Sequence, residues 1–171
     1  MGYALEQIVS HTPLWVWGLL AGLIALGLRQ ARDHVLRRGA LLVLPLVLAT
    51  MSLAGASNAF GLLPGVVLAW LTGLAAGAVA FTLLKLPLRA QTLPDGRFAV
   101  GGSWLPMVLL IGVFLLRYAV SASLAMHPAL AHATGFALGA SLLYGGVAGL
   151  FARRAWRILA QAPRAAVVLT A

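Results

Sequence analysis

The chain has no cysteine and only three acidic residues, Glu6, Asp33 and Asp95, in 171 positions. Without cysteine there are no disulfides, no thiolate metal sites and no thiol redox chemistry. With so few carboxylates, no pair lies within an apolar segment to act as general acid and base or as a proton relay. GxSxG, HExxH and P-loop motifs are missing too, and no histidine has a nucleophile with a sequence signal beside it. The expectation is a protein that is not an enzyme and carries no cofactor. Charge of either sign is scarce: 9% of the residues are charged, against about 25% in an average soluble domain.

What is present in excess is apolar. Hydrophobic residues make up 62% of the chain, more than a soluble domain of this length can bury. The implied solvent is lipid. The formal charge of +9 suggests nucleic acid at first sight, but no domain is left outside the bilayer to read a groove, so nucleic acid is excluded as a partner. A spanning helix needs about 20 apolar residues. Five segments qualify, about 12–28, 39–57, 65–86, 103–124 and 130–151, each ended by charge, Pro, Gly or Asn. No basic n-region precedes the first, so it is expected to stay as a span rather than leave as a signal peptide. The fold class expected is all-α: residues 1–171 as a single integral membrane domain, a polytopic bundle of five transmembrane helices. No internal repeat is evident, and five spans do not divide into equal inverted halves, which counts against the common secondary-transporter plan.

The basic residues sort by side. Arg29, Arg32, Arg37 and Arg38 fall in the first loop; Lys85, Arg89 and Arg97 in the third; Arg153, Arg154, Arg157 and Arg164 in the C-terminal tail. The opposite side has none. The positive-inside rule then puts the N-terminus outside and the C-terminus in the cytoplasm. Trp15 and Trp17 sit at the outer interface and Trp104 and Trp156 at the inner one. The basic loop and tail are expected to touch anionic lipid head groups, with Asp33 and Arg37, four apart, paired on a helix extension. In the third loop, Pro94-Asp95-Gly96 is a turn. Its flanks Gln91-Thr92-Leu93 and Arg97-Phe98-Ala99-Val100 can pair as a short cytoplasmic hairpin between helices 3 and 4. Two strands alone are marginal in water, so the hairpin needs the membrane surface or a partner.

Within the fourth span, the stretch FLLRYAVSAS holds Arg117, the one arginine inside an apolar segment. It lies about 14 residues, or about 20 Å, from the inner surface. An arginine at such depth costs about 2.5–3.5 kcal/mol on insertion scales. No span holds an acid to pair with it. Matching depths from the span midpoints selects Ser52, Thr72 and Ser141 at its level, Ser121 one turn along its own helix, and Asn58 nearer the outer surface. This intramembrane polar cluster either holds an anionic or carbonyl ligand or lets Arg117 clamp the bundle through backbone carbonyls and water. On the outer side, His11, His127 and His132 form a candidate metal or haem site, although their spacing matches no dedicated motif. Glycine pairs four apart, Gly18 and Gly22, Gly73 and Gly77, Gly135 and Gly139, Gly145 and Gly149, mark faces where helix backbones can approach closely in lipid. Packing inside the bundle uses most of them; a homodimer or a membrane partner protein is the use for a leftover face, and the fifth span has the longest stripe.

The segment GGSWLPMVLLIGVFLLRYAVSASLAMHP resembles a group of small, uncharacterised bacterial inner-membrane proteins. The shared features are Asp95-Gly96 in a short cytoplasmic loop, Ser103-Trp104 at the start of a span, and Arg117-Tyr118 within it. The resemblance implies a multi-pass protein of the bacterial inner membrane and no known activity. Three functions follow as expectations: a non-enzymatic structural or accessory membrane subunit, a small transporter or channel for an anionic or polar solute lined by Arg117 and nearby hydroxyls, and a metal or haem binder at the outer-face histidines.

Overall fold

A computed structural model describes residues 14–85, 90–93 and 97–160. In chain order these form α1 (Leu14–Gln30), β1 (His34–Leu36), α2 (Arg38–Phe60), α3 (Pro64–Leu83), β2 (Ala90–Thr92), β3 (Phe98–Val100), α4 (Leu105–Met126), a 3-10 turn (Pro128–His132) and α5 (Thr134–Ala160). Helices α2 to α5 are long and apolar enough to cross a membrane. Helix α1, with 17 residues, is about 26 Å long at 1.5 Å per residue, short of the about 30 Å of a bilayer core. Four spans are therefore supported in full where five were expected. Punctuation sets the boundaries. Pro64 opens α3 and Pro106 stands in the first turn of α4, where a missing N–H is harmless. Gly61, at φ 80°, turns the chain out of α2 and donates its N–H to Ser57 O at 2.8 Å. The last helix begins later than expected because Pro128–His132 winds as a 3-10 turn, and it runs to Ala160 rather than stopping near Phe151.

Helix α5 is the hub. It packs along α3 most extensively and also on α2 and α4, while α1 packs on α4. Contacts pair Gly65 with Leu138, Gly73 with Leu142, Gly77 with Gly146 and Thr82 with Arg153, so α3 and α5 run parallel. One apolar core gathers Phe60, Trp70, Val120 and Tyr144 among small residues of α5 such as Ala140 and Ala148. Outward faces are apolar too: Leu46, Leu68, Val108 and Leu115 are all more than half exposed. That is a poor surface for water and a suitable one for lipid.

The expected hairpin is present, with Ala90↔Val100 and Thr92↔Phe98 in antiparallel register. Its partner is a third strand. β1 pairs antiparallel with β3, His34↔Val100 and Leu36↔Phe98, giving the order β1-β3-β2. This corrects the expected helix extension with its Asp33–Arg37 pair: residues 34–36 are extended, and Asp33 Oδ1 accepts the Gly102 N–H at 2.6 Å. Phe98 and Val100 on the central strand are buried with Leu41 of α2 and Ile158 of α5 in a second core. Sheet, first loop and the end of α5 thus collect the basic segments at one end of the bundle, with Trp104 and Trp156 exposed there.

Candidate functional site

Arg117 sits in the middle of α4, between Leu116 and Val120 of the main core. Its Nη1 donates to the carbonyl of Met51 on α2 at 3.3 Å. That oxygen already takes the helical N–H one turn on, and a carbonyl has a second lone pair to offer. Gly55 makes the approach possible: a Cβ there would lie 2.8 Å from Nη2 and 3.2 Å from Cζ of Arg117. Tyr144 of α5 is buried in the same core. The site is a wedge of Arg117 against bare α2 backbone.

The hydroxyls matched to Arg117 by depth donate elsewhere. Ser52 donates to Ala49 O and accepts the Trp70 Nε1–H, each at 3.0 Å. Thr72 donates to Leu68 O at 2.8 Å on an exposed face, and buried Ser141 donates to Ala137 O at 2.7 Å. A hydroxyl in hydrocarbon satisfies itself on its own helix, three or four residues back. Ser121 and Asn58 are exposed. The contacts that Arg117 makes with Met51 and Gly55 were not among those selected by depth. Gly55 was the one visible signal, a small residue in the second span at nearly the same depth.

Of the histidines, His127 closes α4, its N–H on Ser123 O at 2.9 Å, and His132 ends the 3-10 turn; both are exposed. His11 lies outside the described residues. No group of three His, Cys, Asp or Glu that could hold a metal ion occurs among the described residues.

The glycines divide sharply. Added Cβ atoms at Gly73 and Gly77 would run into the backbone carbonyls of Leu142 and Gly146; at Gly145 and Gly149 they would run into those of Trp70 and Leu74. The two helices thus offer their bare faces to each other, close enough for Cα–H···O contacts. Polar ties extend this seam toward the basic end, where Arg153 Nε donates to Thr82 Oγ1 at 3.0 Å and Arg157 lies 5.7 Å from the Phe81 ring centroid. Among the described residues, Gly18, Gly22, Gly135 and Gly139 have no atom within 4 Å of such a Cβ. The stripe expected on the fifth helix is therefore two faces, one filled by α3 and one open.

A family model described as a family of unknown function (DUF6622) matches residues 2–168. No curated protein and no solved structure matches the chain.

Proposed function

The chain belongs to the DUF6622 family, and from its geometry we propose that it is a non-enzymatic, structural or accessory subunit of a bacterial inner membrane. In this reading the N-terminus is outside and the basic sheet end faces the cytoplasm, as the distribution of Lys and Arg favours. The observation that carries it is the engagement of Arg117 with the Met51 carbonyl against Gly55. An arginine that donates to the backbone of a neighbouring helix ties α4 to α2, and Ser52, Thr72 and Ser141 spend their hydroxyl protons on their own helices. The transporter reading would draw on the remaining N–H groups of Arg117.

Melting of the full chain in detergent, wild type against Arg117→Leu, tests the clamp. The expected outcome is a fall of several degrees, about 1.5 kcal/mol for a hydrogen bond from a charged donor. A rise would mean that Arg117 is held against the interest of folding, as a ligand site often is. It would sink the structural reading.

A further inference from the structure

A second arginine in the apolar part of the molecule has a different setting. Arg154, on α5, is 8% exposed, and its buried Nε has no hydrogen-bond partner among the described residues. It lines a cavity of about 450 Å³ bounded by α1, β1, α2 and α5, within the about 300–1,000 Å³ of ordinary ligand sites. Arg29, at the end of α1, also lines it. The remaining wall is apolar: Leu26 of α1, Val43 and Val47 of α2 and Phe151 of α5 are among it. Leu26, Val43 and Val47 are substantially exposed, so the cavity is a groove open along the flank of the bundle.

A buried guanidinium N–H without a partner is unfavourable. Asp33, the acid among the described residues, accepts the Gly102 N–H and does not line the groove. Among the described residues Arg154 therefore has no counter-ion, and an anionic ligand supplies one. Arginine forks match phosphate oxygens best. The apolar wall identifies the rest of the ligand. Val47 lies nine residues beyond Arg38, about 14 Å along α2 at 1.5 Å per residue, so charge at the basic end gives way to hydrocarbon inward. A free anion has no use for that wall, whereas an acyl chain does. We propose that this groove binds an anionic membrane phospholipid, its phosphate held by Arg154 and Arg29 and the start of its acyl chain lying along Val43 and Val47. The inference rests on the membrane reading above. Basic pockets between spans on the cytoplasmic side are where anionic head groups bind.

The test uses the full chain purified in a zwitterionic detergent. Native mass spectrometry reads retained lipid after addition of phosphatidylglycerol or phosphatidylcholine, and melting is followed with each lipid and with inorganic phosphate. Phosphatidylglycerol is expected to be retained and to raise the melting temperature, and phosphatidylcholine and phosphate are not. Arg154→Gln should cut retention about tenfold, the effect of losing one charge-assisted hydrogen bond. Arg153→Gln, whose arginine bonds Thr82 outside the groove, should leave it unchanged. Ala40→Trp, which fills the groove and keeps both arginines, should act like Arg154→Gln and replaces it if that variant does not fold. Equal retention of the two lipids, equal loss in Arg153→Gln and Arg154→Gln, or a shift by phosphate matching that by phosphatidylglycerol would each overturn the proposal. Gln91→Cys in this cysteine-free chain, probed with an impermeant maleimide from either side of sealed vesicles, reads the orientation separately, so a failed orientation and a failed lipid site are told apart.

Discussion

Where α3 meets α5 the two backbones touch, and where α1 passes α2 a groove of about 450 Å³ stays open. Both regions are walled by apolar helices, and lipid competes equally for both. What separates them is side-chain volume. Four glycines on the first pair clear side chains from the middle of the seam, so carbonyls of one helix rest on Cα atoms of the other. On the second, leucines, valines and two arginines hold the helices apart. In lipid no hydrophobic drive pulls helices together, and closeness of packing decides which faces seal. The glycine seam is the rigid part, and the arginine groove is the part with room for a ligand. One substitution, glycine to alanine, adds the same methyl group at sites of different closure and grades this contrast.

Gly77→Ala is the strongest way to break it. The new Cβ would overlap the Gly146 carbonyl, and neither backbone can yield unless α3 and α5 move apart. We expect a loss of about 3 kcal/mol, read as a melting temperature lowered by many degrees in detergent, or as a chain that aggregates on extraction. If Gly77→Ala melts with the wild type, the seam is not closed and the rigid half of the comparison fails.

Gly55→Ala is intermediate, because the obstacle is the end of a flexible side chain. The added methyl meets the Arg117 guanidinium, which can swing aside only by releasing Met51 O. The expected loss is about 1.5 kcal/mol. The cycle with Arg117→Leu sharpens it: once the guanidinium is gone, the same methyl should be nearly neutral, and the coupling between the two positions is the value of the wedge. Additive effects would mean that Gly55 matters for another reason.

The sequence made the helices legible and their azimuths much less so. Apolar length marked every helix, and Pro94-Asp95-Gly96 with its flanks marked a hairpin that forms as expected. β1 was not legible, since His34-Val35-Leu36 is too short to alternate and is a strand only because β3 stands beside it. The burial of Arg154 was not foreseen, because a charge cluster after an apolar run resembles a membrane boundary. The signal for it was there: Phe151, Arg154, Ala155 and Ile158, all buried, are spaced i, i+3, i+4, i+7, the pattern of a helix face turned inward. The Arg117 partners failed for the same reason. Residue depth follows from counting along a span, but the facing side depends on how neighbouring helices rotate, which a single sequence leaves open.

Gly139→Ala is the smallest expected effect and the one that reaches beyond the single chain. Gly139 and Gly145 are six residues apart, which at about 100° per residue sets them about 120° apart around the helix, and the mean directions of the two pairs differ by about 80°. Gly139 is thus turned away from the face that Gly145 and Gly149 present to α3, although both pairs have the same four-residue spacing. Among the described residues nothing lies within 4 Å of a Cβ at Gly139, so alanine should change stability by no more than about 0.5 kcal/mol, and alanine's better helix propensity favours a slight rise. A bulkier Gly139→Leu should also be tolerated at low protein concentration. If either variant instead lowers the melting temperature as Gly77→Ala does, and does so more at high concentration, this second stripe is closed by another copy of the chain. The molecule would then have two sealed glycine faces on α5, one internal and one between protomers, with the arginine groove still open.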